Sequence, residues 1–216
     1  MFKDIELIIY DLDGVLIDSN KGIVESFRLI HEEIGEPFNP KDVLSRIGVG
    51  LIQIFREILP KKHHDNLQEL RLSYIRHFQS LGTEYIILLP EVEETMAEMN
   101  RRGFKQSVAT NKTTSEAMRI LKDLGMDKYL DLYTGYGTVE KIKPEPDMIL
   151  YNLEHFGLPP EKAVFVDDTK IGLTAGIKAN VNTVGITTGN NTLEQIQQVN
   201  PSTIIHAFSK LIEIIR

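Results

Sequence analysis

Asp11 and Asp13 are the first residues in the chain suited to chemistry, in the segment DLDGV that directly follows the apolar run 5–10. Alternate residues of an extended chain point the same way, so we expect both carboxylates to face one pocket. Two carboxylates this close repel each other unless a cation lies between them or one carries a proton. Because oxygen ligands suit magnesium, the pair indicates a Mg²⁺ site; a pair of turn aspartates before a glycine is the alternative.

Thr110 and Asn111 form a second candidate group, because they close the apolar run 104–109. A hydroxyl and nearby backbone amides at the end of a strand can hydrogen-bond a phosphoryl oxygen, so we assign Thr110 and Asn111 to substrate contacts. The alternative is that they cap the helix expected over residues 113–124.

Lys143 is the third candidate, in the segment KIKPEPD, where it precedes a rigid Pro-x-Pro turn. An ammonium fixed at this point can neutralise both a nucleophilic aspartate and a transferring phosphoryl group. A lysine before a turn is otherwise a solvated surface residue, and that reading stays open from the segment alone.

Asp167 and Asp168 complete the set, directly after the apolar run 163–166. If that run is a strand of the same sheet, these carboxylates can join Asp11 around one cation. Alternatively, they only cap the helix that follows and favour its positive end.

The candidates stand beside short apolar runs typical of strands buried on both faces of a parallel sheet. Stretches with helical periodicity lie between most of these runs, and strands alternating with helices predict an α/β fold with helices on both faces of the sheet. Open parallel sheets bind ligands at the carboxyl ends of their strands, where the candidate side chains fall. The runs are 5–10, 104–109, 130–134, 163–166 and 181–186.

Residues from about 19 to 82 interrupt this pattern, with no convincing strand and at least two amphipathic helices. Gly35 ends the first of these helices and Gly82 the second. We therefore expect a core of residues 1–17 and 83–216 and an inserted helical cap of residues 18–82. The alternative is that the helices only cover one face of the sheet, but the interruption is long for that.

Composition narrows the class of partner. The chain has 216 residues, a net charge of -7 and no cysteine. The negative charge argues against nucleic acid or an anionic membrane as partner, and the lack of cysteine excludes disulfides, a thiolate nucleophile and Cys-type zinc sites. The N-terminal segment is too short and too acidic for a signal peptide or a membrane span, so we expect a cytoplasmic protein acting on a small molecule.

Four segments, DLDGVLIDS, SVATNK, KIKPEPD and VFVDDTKIGLTAG, occur in this order over residues 7–176. Together they resemble the motifs of the haloacid dehalogenase superfamily of phosphohydrolases. The helical insertion resembles the small cap of the phosphoglycolate phosphatase and β-phosphoglucomutase branch. The resemblance implies a Rossmann-like core in which a central parallel sheet is flanked by helices, with the cap inserted after the first strand.

The resemblance also implies roles. Asp11 would attack phosphorus to form an aspartyl-phosphate, and Asp13 would protonate the leaving oxygen and then activate water. Thr110 and Lys143 would hold the phosphoryl group. The ligands of Mg²⁺ would be Asp11, the main-chain carbonyl of Asp13, and Asp168, with Asp167 assisting directly or through water.

Position 172 departs from the pattern of many relatives, which place a second acid four residues after the metal-binding aspartate. This chain has Gly172 there, and Asp167 stands where those relatives often have glycine. Adjacent acids are an accepted variant of the motif, so we expect Asp167 to compensate. Asp13 in turn argues for phosphate chemistry, because the dehalogenases of the superfamily lack an acid two residues after the nucleophile.

Arg46 and Gly48 lie in the segment SRIGVG, which resembles the substrate-specificity loop of that branch. Arg46 would bind a carboxylate or hydroxyl of the substrate, and Gly48 would allow the backbone close approach. The alternative is a solvated arginine beside a plain helix break.

The leading hypothesis is a Mg²⁺-dependent phosphomonoesterase of the phosphoglycolate phosphatase type, monomeric or homodimeric. A mutase resembling β-phosphoglucomutase is the close alternative, since it would pass the phosphoryl group to a sugar rather than to water. From another class, a catalytically weak phosphate-binding or regulatory protein remains open, with Gly172 impairing the metal site.

Overall fold

The computed structural model describes the backbone of residues 1–216 and every side chain except that of Thr83. The strands are β1 (Leu7–Tyr10), β2 (Ile17–Asp18), β3 (Ile87–Leu88), β4 (Lys105–Thr113), β5 (Leu132–Tyr136), β6 (Ala163–Asp167), β7 (Asn182–Ile186) and β8 (Thr203–Ile205). The helices are α1 (Asn20–Ile34), α2 (Pro40–Leu44), α3 (Leu51–Ile58), α4 (Leu67–Ser80), α5 (Val92–Arg101), α6 (Thr114–Asp123), α7 (Asp147–Phe156), α8 (Lys170–Lys178), α9 (Leu193–Gln197) and α10 (Leu211–Ile214). Within the described residues, no helix is both long and apolar enough to cross a membrane.

The predicted parallel α/β fold is confirmed. The described residues form a six-stranded sheet in the order β5-β4-β1-β6-β7-β8, with parallel neighbours, and β2 and β3 pair separately. Strand β1 lies between β4 and β6, and Tyr10 is in register with Val108 and Val166. The residues that follow these three positions therefore emerge side by side at one edge of the sheet.

Strand β1 is central because each of its residues is apolar and buried. On one face, Leu7 and Ile9 pack in a cluster with Phe165 of β6 and with Met148 and Ala175 of helices α7 and α8. Each fully buried side chain of this size contributes about 1.5–3 kcal/mol relative to an exposed one. The sheet that carries the candidate residues is thus anchored on a continuous apolar core.

Each of the five predicted apolar runs overlaps a strand, with shifted ends. Strand β4 continues to Thr113, past the end expected at position 109, and β5 begins at Leu132 instead of position 130. Strand β8, which has three residues and pairs with β7 at the edge of the sheet, was not predicted. Three residues are too few to show the apolar pattern of a strand.

Residues Asp18–Ile87 form a second compact unit, and Met1–Ile17 with Leu88–Arg216 form the first. The second unit has its own aromatic core, in which Phe27 contacts Phe55 and Tyr74 with ring centroids 4.9 and 5.1 Å apart. Its first helix ends at Gly35, which adopts the left-handed conformation expected of a glycine cap. The unit ends at Ile87 instead of residue 82, because the 3₁₀ turn Thr83–Tyr85 packs on α1.

Candidate active site

Lys143 joins two of the predicted acids at the carboxyl edge of the sheet. Its Nζ lies 2.7 Å from Asp11 Oδ1 and 2.8 Å from Asp167 Oδ2, and the three side chains are 3%, 9% and 0% exposed. The interpretation of Lys143 as a solvated surface residue is therefore wrong. Although burial lowers the pKa of this ammonium, the nearby Asp11 and Asp167 outweigh that effect and raise it, so Lys143 is a fixed positive charge.

Asn111 holds the backbone of Lys143 in place. The Asn111 Oδ1 accepts a hydrogen bond from the Lys143 backbone N–H at 3.0 Å, and its Nδ2 donates to the Lys143 carbonyl at 3.2 Å. This pair links the end of β4 to the loop before α7. The side chain of Asn111 thus has a positioning role, and its contact with substrate stays a prediction.

Asp11, Asp167 and Asp168 bring carboxylate oxygens within 4.8 Å of one another. Burial is the main reason why the pKa of Asp11 rises from 3.8 to about 7, against the lowering effect of Lys143. Burial likewise raises the pKa of Asp168, with further contributions from Asp167 and Asp11. Gathering these acids in a region of low dielectric is costly unless a cation or protons compensate their charge.

The donor atoms of this cluster fit a hard divalent cation. Asp168 Oδ2 accepts a hydrogen bond from the Asn190 backbone N–H at 2.7 Å, whereas its Oδ1 is buried with no hydrogen-bond partner among the described residues. A buried carboxylate oxygen without a partner beside two other carboxylates is the arrangement that a magnesium ligand requires. The side chain of Asp13 lies outside this three-acid cluster.

Asp167 has hydrogen-bonding partners on both of its oxygens. Its Oδ1 accepts hydrogen bonds from the Thr169 backbone N–H at 2.8 Å and from the Thr169 hydroxyl at 2.6 Å, while Oδ2 receives Lys143. A Cβ added at Gly172 would overlap the Asp167 carboxylate. The departure at position 172 is thereby explained, because the side chain of Asp167 occupies the space that a side chain there would need.

Thr169, and not the acids before it, is the N-cap of helix α8. Its side chain accepts a hydrogen bond from the Gly172 backbone N–H at 3.0 Å. Similarly, Thr113 caps helix α6 by accepting from the Glu116 backbone N–H at 3.3 Å. The capping alternatives for Thr110 and for the acidic pair are therefore wrong, and the side chain of Thr110 lies buried within β4 near the register shift.

Lys112 also lies at the site, although its sequence position was not predicted to be functional. Lys112 Nζ lies 3.0 Å from Asp13 Oδ2, with side chains only 10% and 15% exposed. The signal that could have found it is the spacing from Thr110, since alternate residues of an extended chain face the same way. In the core, Asp11 and Asp13 are therefore each paired with a lysine.

The loop after β7 was also missed. Besides the hydrogen bond from Asn190 to Asp168, the Thr188 hydroxyl donates to the Gly14 carbonyl at 2.7 Å. Gly14 has a φ of 84°, and a Cβ there would approach Asp168 Oδ2 to 2.5 Å. This loop follows a predicted strand at the same sheet edge, so its position was a usable signal.

Arg46 and Gly48 belong to the second compact unit. The Arg46 guanidinium donates to Glu57 Oε2 at 3.0 Å and to the Asp42 carbonyl at 2.7 Å. Gly48 has a φ of 105°, which favours glycine. Their predicted contacts with substrate stay predictions.

Comparison with known proteins gives matches over most of the chain. The model of the family "Haloacid dehalogenase-like hydrolase" matches residues 8–186. A phosphoglycolate phosphatase from Aquifex aeolicus is 33% identical over 178 residues, 82% of each chain. The pyrophosphatase PpaX of Listeria monocytogenes is 29% identical over an alignment that covers 100% of this chain and 99% of PpaX. A haloacid dehalogenase-like hydrolase from Streptococcus pneumoniae superposes with a TM-score of 0.87 at 25% identity, covering 97% and 98%.

Proposed function

Because this chain belongs to the haloacid dehalogenase-like hydrolases, we propose that it is a magnesium-dependent phosphomonoesterase acting on a small phosphorylated metabolite. Membership of an enzyme family also confirms the resemblance drawn from the four motifs. The observation that carries the proposal is the buried Lys143 ammonium between Asp11 and Asp167, with Asp168 in the same cluster. The proposed nucleophile, a buried positive charge and the proposed ligands of a cation are thus neighbours in the fold.

In the first proposed step, a carboxylate oxygen of Asp11 attacks the phosphorus of the substrate. The new oxygen–phosphorus bond forms as the bond to the leaving oxygen breaks, and that oxygen keeps the electron pair. Asp13 supplies the proton that the leaving oxygen then needs. The product of this step is an aspartyl-phosphate on Asp11, with Asp13 left as a carboxylate.

In the second step, the Asp13 carboxylate removes a proton from a water molecule whose oxygen attacks the aspartyl-phosphate. The bond between phosphorus and Asp11 breaks, which releases inorganic phosphate and restores both residues. Asp13 thus serves as general acid in the first step and as general base in the second. One residue can do both because the leaving oxygen and the attacking water oxygen occupy the same position.

Lys143 and Thr110 are proposed to hold the phosphoryl group. An ammonium has three N–H donors, of which Asp11 and Asp167 each accept one, so a third is available to a phosphoryl oxygen. The Thr110 hydroxyl oxygen accepts a hydrogen bond from the Lys112 backbone N–H at 3.2 Å, and its own proton can be donated to the substrate. These donors stabilise charge that builds on the phosphoryl oxygens.

The proposed magnesium ligands are Asp11, Asp168 and the main-chain carbonyl of Asp13, with Asp167 assisting. The unpartnered Asp168 Oδ1 and the three converging carboxyl groups support this assignment. Bound Mg²⁺ would offset the repulsion between a carboxylate nucleophile and an anionic phosphate.

The proposed substrates resemble phosphoglycolate. The relatives from Aquifex aeolicus and Listeria monocytogenes are named for phosphoglycolate and pyrophosphate, which are both small and carry a second anionic group. We propose that the helical unit Asp18–Ile87 acts as a cap that selects the group attached to phosphorus, with Arg46 and Gly48 as its contact residues. Closure of such a cap would also exclude water.

A phosphate-release panel tests the proposal. Purified protein would be assayed with phosphoglycolate, pyrophosphate, sugar phosphates, nucleotides and p-nitrophenyl phosphate, with Mg²⁺ or with EDTA. We expect turnover that EDTA removes and that Asp11→Asn lowers by about 10³-fold or more, because a nucleophile cannot be replaced by its amide. Asp123→Asn is the matched control, since it changes an exposed acid and should leave activity within about 2-fold.

The outcomes separate the candidate functions. Undiminished hydrolysis by Asp11→Asn would refute the nucleophile and the proposal with it. Release of an isomerised sugar phosphate in place of inorganic phosphate would identify a mutase. Saturable binding of phosphate esters without turnover would identify a binding protein.

A further inference from the structure

Lys112 lies near the end of strand β4, where its side chain contacts Asp13. Its backbone N–H donates to the Thr110 hydroxyl at 3.2 Å, and its Nζ lies 3.0 Å from Asp13 Oδ2. The proposed function gives Lys143 a role at the nucleophile and the phosphoryl group, but it gives none to Lys112. A nearly buried ammonium that contacts the general acid and base needs an explanation of its own.

Glu116 is a second buried acid near this ammonium, and burial raises the pKa of its carboxyl. It lies in the first turn of α6, is 4% exposed, and has a buried Oε1 with no hydrogen-bond partner among the described residues. The Thr113 cap fixes the start of that turn. Asp13 and Glu116 both attract the Lys112 ammonium, and Asp13 is in direct contact with it.

We propose that Lys112 is a positioning residue that holds the Asp13 carboxylate in the orientation needed for proton transfer, with the nearby Glu116 as a second acid that attracts its ammonium. The inference rests on the proposed function, in which Asp13 moves both protons. The two lysines then have separate roles, since Lys143 contacts Asp11 and Asp167 while Lys112 contacts Asp13. A mispositioned Asp13 would slow proton transfer without weakening the phosphoryl site.

The two proton transfers make this role measurable. An alkyl phosphate has a poor leaving group, so formation of the aspartyl-phosphate from it needs the proton of Asp13. The leaving group of p-nitrophenyl phosphate departs without a proton, so only hydrolysis of the aspartyl-phosphate then depends on Asp13. If Asp13 is mispositioned, formation of the aspartyl-phosphate should therefore slow for the alkyl phosphate. For p-nitrophenyl phosphate, only its hydrolysis should slow.

The experiment compares Lys112→Met with wild type by stopped-flow and steady-state assays in Mg²⁺. General acid–base catalysis contributes about 10²–10⁴-fold, so we expect kcat to fall by about 10–100-fold for an alkyl phosphate, with KM within about 3-fold. With p-nitrophenyl phosphate we expect a burst of about one nitrophenolate per site before slow turnover, because the aspartyl-phosphate accumulates. Lys112→Arg should recover part of kcat, and Glu116→Gln should show a weaker form of the same signature.

Lys122→Met is the control, because Lys122 is an exposed lysine of α6, the helix that follows β4. A loss that appears only in KM, or an equal loss of kcat for both substrates without a burst, would overturn the positioning role. Should Lys112→Met fail to fold, Lys112→Arg and Glu116→Gln carry the same test. Failure of the proposed function is distinguishable, since wild type would then lack turnover or Asp11→Asn would retain it.

Discussion

Replacing Gly172 by alanine should destabilise this protein, although alanine is the better helix former. Gly172 lies in the first turn of α8, where exchange of glycine for alanine normally stabilises a helix by about 1 kcal/mol. Here the added Cβ would overlap the carboxylate of Asp167. The sign of the effect is therefore expected to be the reverse of the intrinsic preference.

The magnitude follows from what holds Asp167 in place. To make room, its carboxylate must move from the Lys143 ammonium at 2.8 Å and from the two hydrogen bonds of Thr169. Hydrogen bonds to charged groups contribute about 1.5–3 kcal/mol each, and overpacking a core costs about 1–3 kcal/mol. Partial adjustment of the side chain would reduce the loss, so we expect a net destabilisation of about 2–4 kcal/mol, or a fall in Tm of about 5–15 °C for a chain of this size.

The assay is a double-mutant cycle with Asp167→Ala, followed by urea and thermal unfolding in EDTA. Removing the Asp167 carboxylate vacates the space beside Gly172, so Gly172→Ala should be neutral or stabilising by up to about 1 kcal/mol in that background. The two substitutions should therefore be coupled by about 2–5 kcal/mol. A stabilising Gly172→Ala in the otherwise unchanged protein, or additive effects of the two substitutions, would refute the steric explanation of glycine at this position.

Two further predictions concern the buried acids and Thr110. Since burial raises the pKa of Asp11 from 3.8 to about 7, the native metal-free protein keeps a proton that the unfolded chain has lost. Stability in EDTA should therefore fall as pH rises from about 4 to about 7, the interval between the pKa of Asp11 in the unfolded and in the folded protein, and Asp11→Asn should flatten that slope in urea unfolding. Thr110→Val should lower kcat/KM by about 10-fold or more in steady-state assays, whereas Thr110→Ser should stay within a few-fold of wild type, because only the hydroxyl is required. Equal activity of the two variants would contradict the phosphoryl contact.

The arrangement of the site followed from sequence where a strand had a strong apolar pattern. Asp11 and Asp168 were predicted to converge because each follows a buried run, and parallel neighbours in a sheet end at one edge. Lys143 was harder to predict, since it lies in a loop and only its turn prolines suggested a fixed position. Its burial between Asp11 and Asp167 could not be read from the segment KIKPEPD.

Other features depended on contacts that no single segment reveals. The strand β8 is too short to show a period. The spacing from Thr110 could have placed Lys112 at the site, but its pairing with Asp13, which is 99 positions away by the difference of their numbers, is visible only in the folded structure. The reason for Gly172 lies in the rotamer of Asp167, which is set in turn by Thr169 and Lys143. Such facts become visible only when packing has brought distant side chains together.

Burial of the acidic cluster links the stability of the protein to its capacity for a cation. If Asp11, Asp167 and Asp168 were all ionised, the Lys143 ammonium would balance only one of their charges, in surroundings where uncompensated charge is costly. Burial raises the pKa of Asp11 and of Asp168, which favours protons as the compensating charge in the metal-free protein. A divalent cation that binds the same oxygens must displace those protons, so metal binding is coupled to proton release. The desolvation that weakens the metal-free site is therefore also what gives these oxygens their preference for a cation.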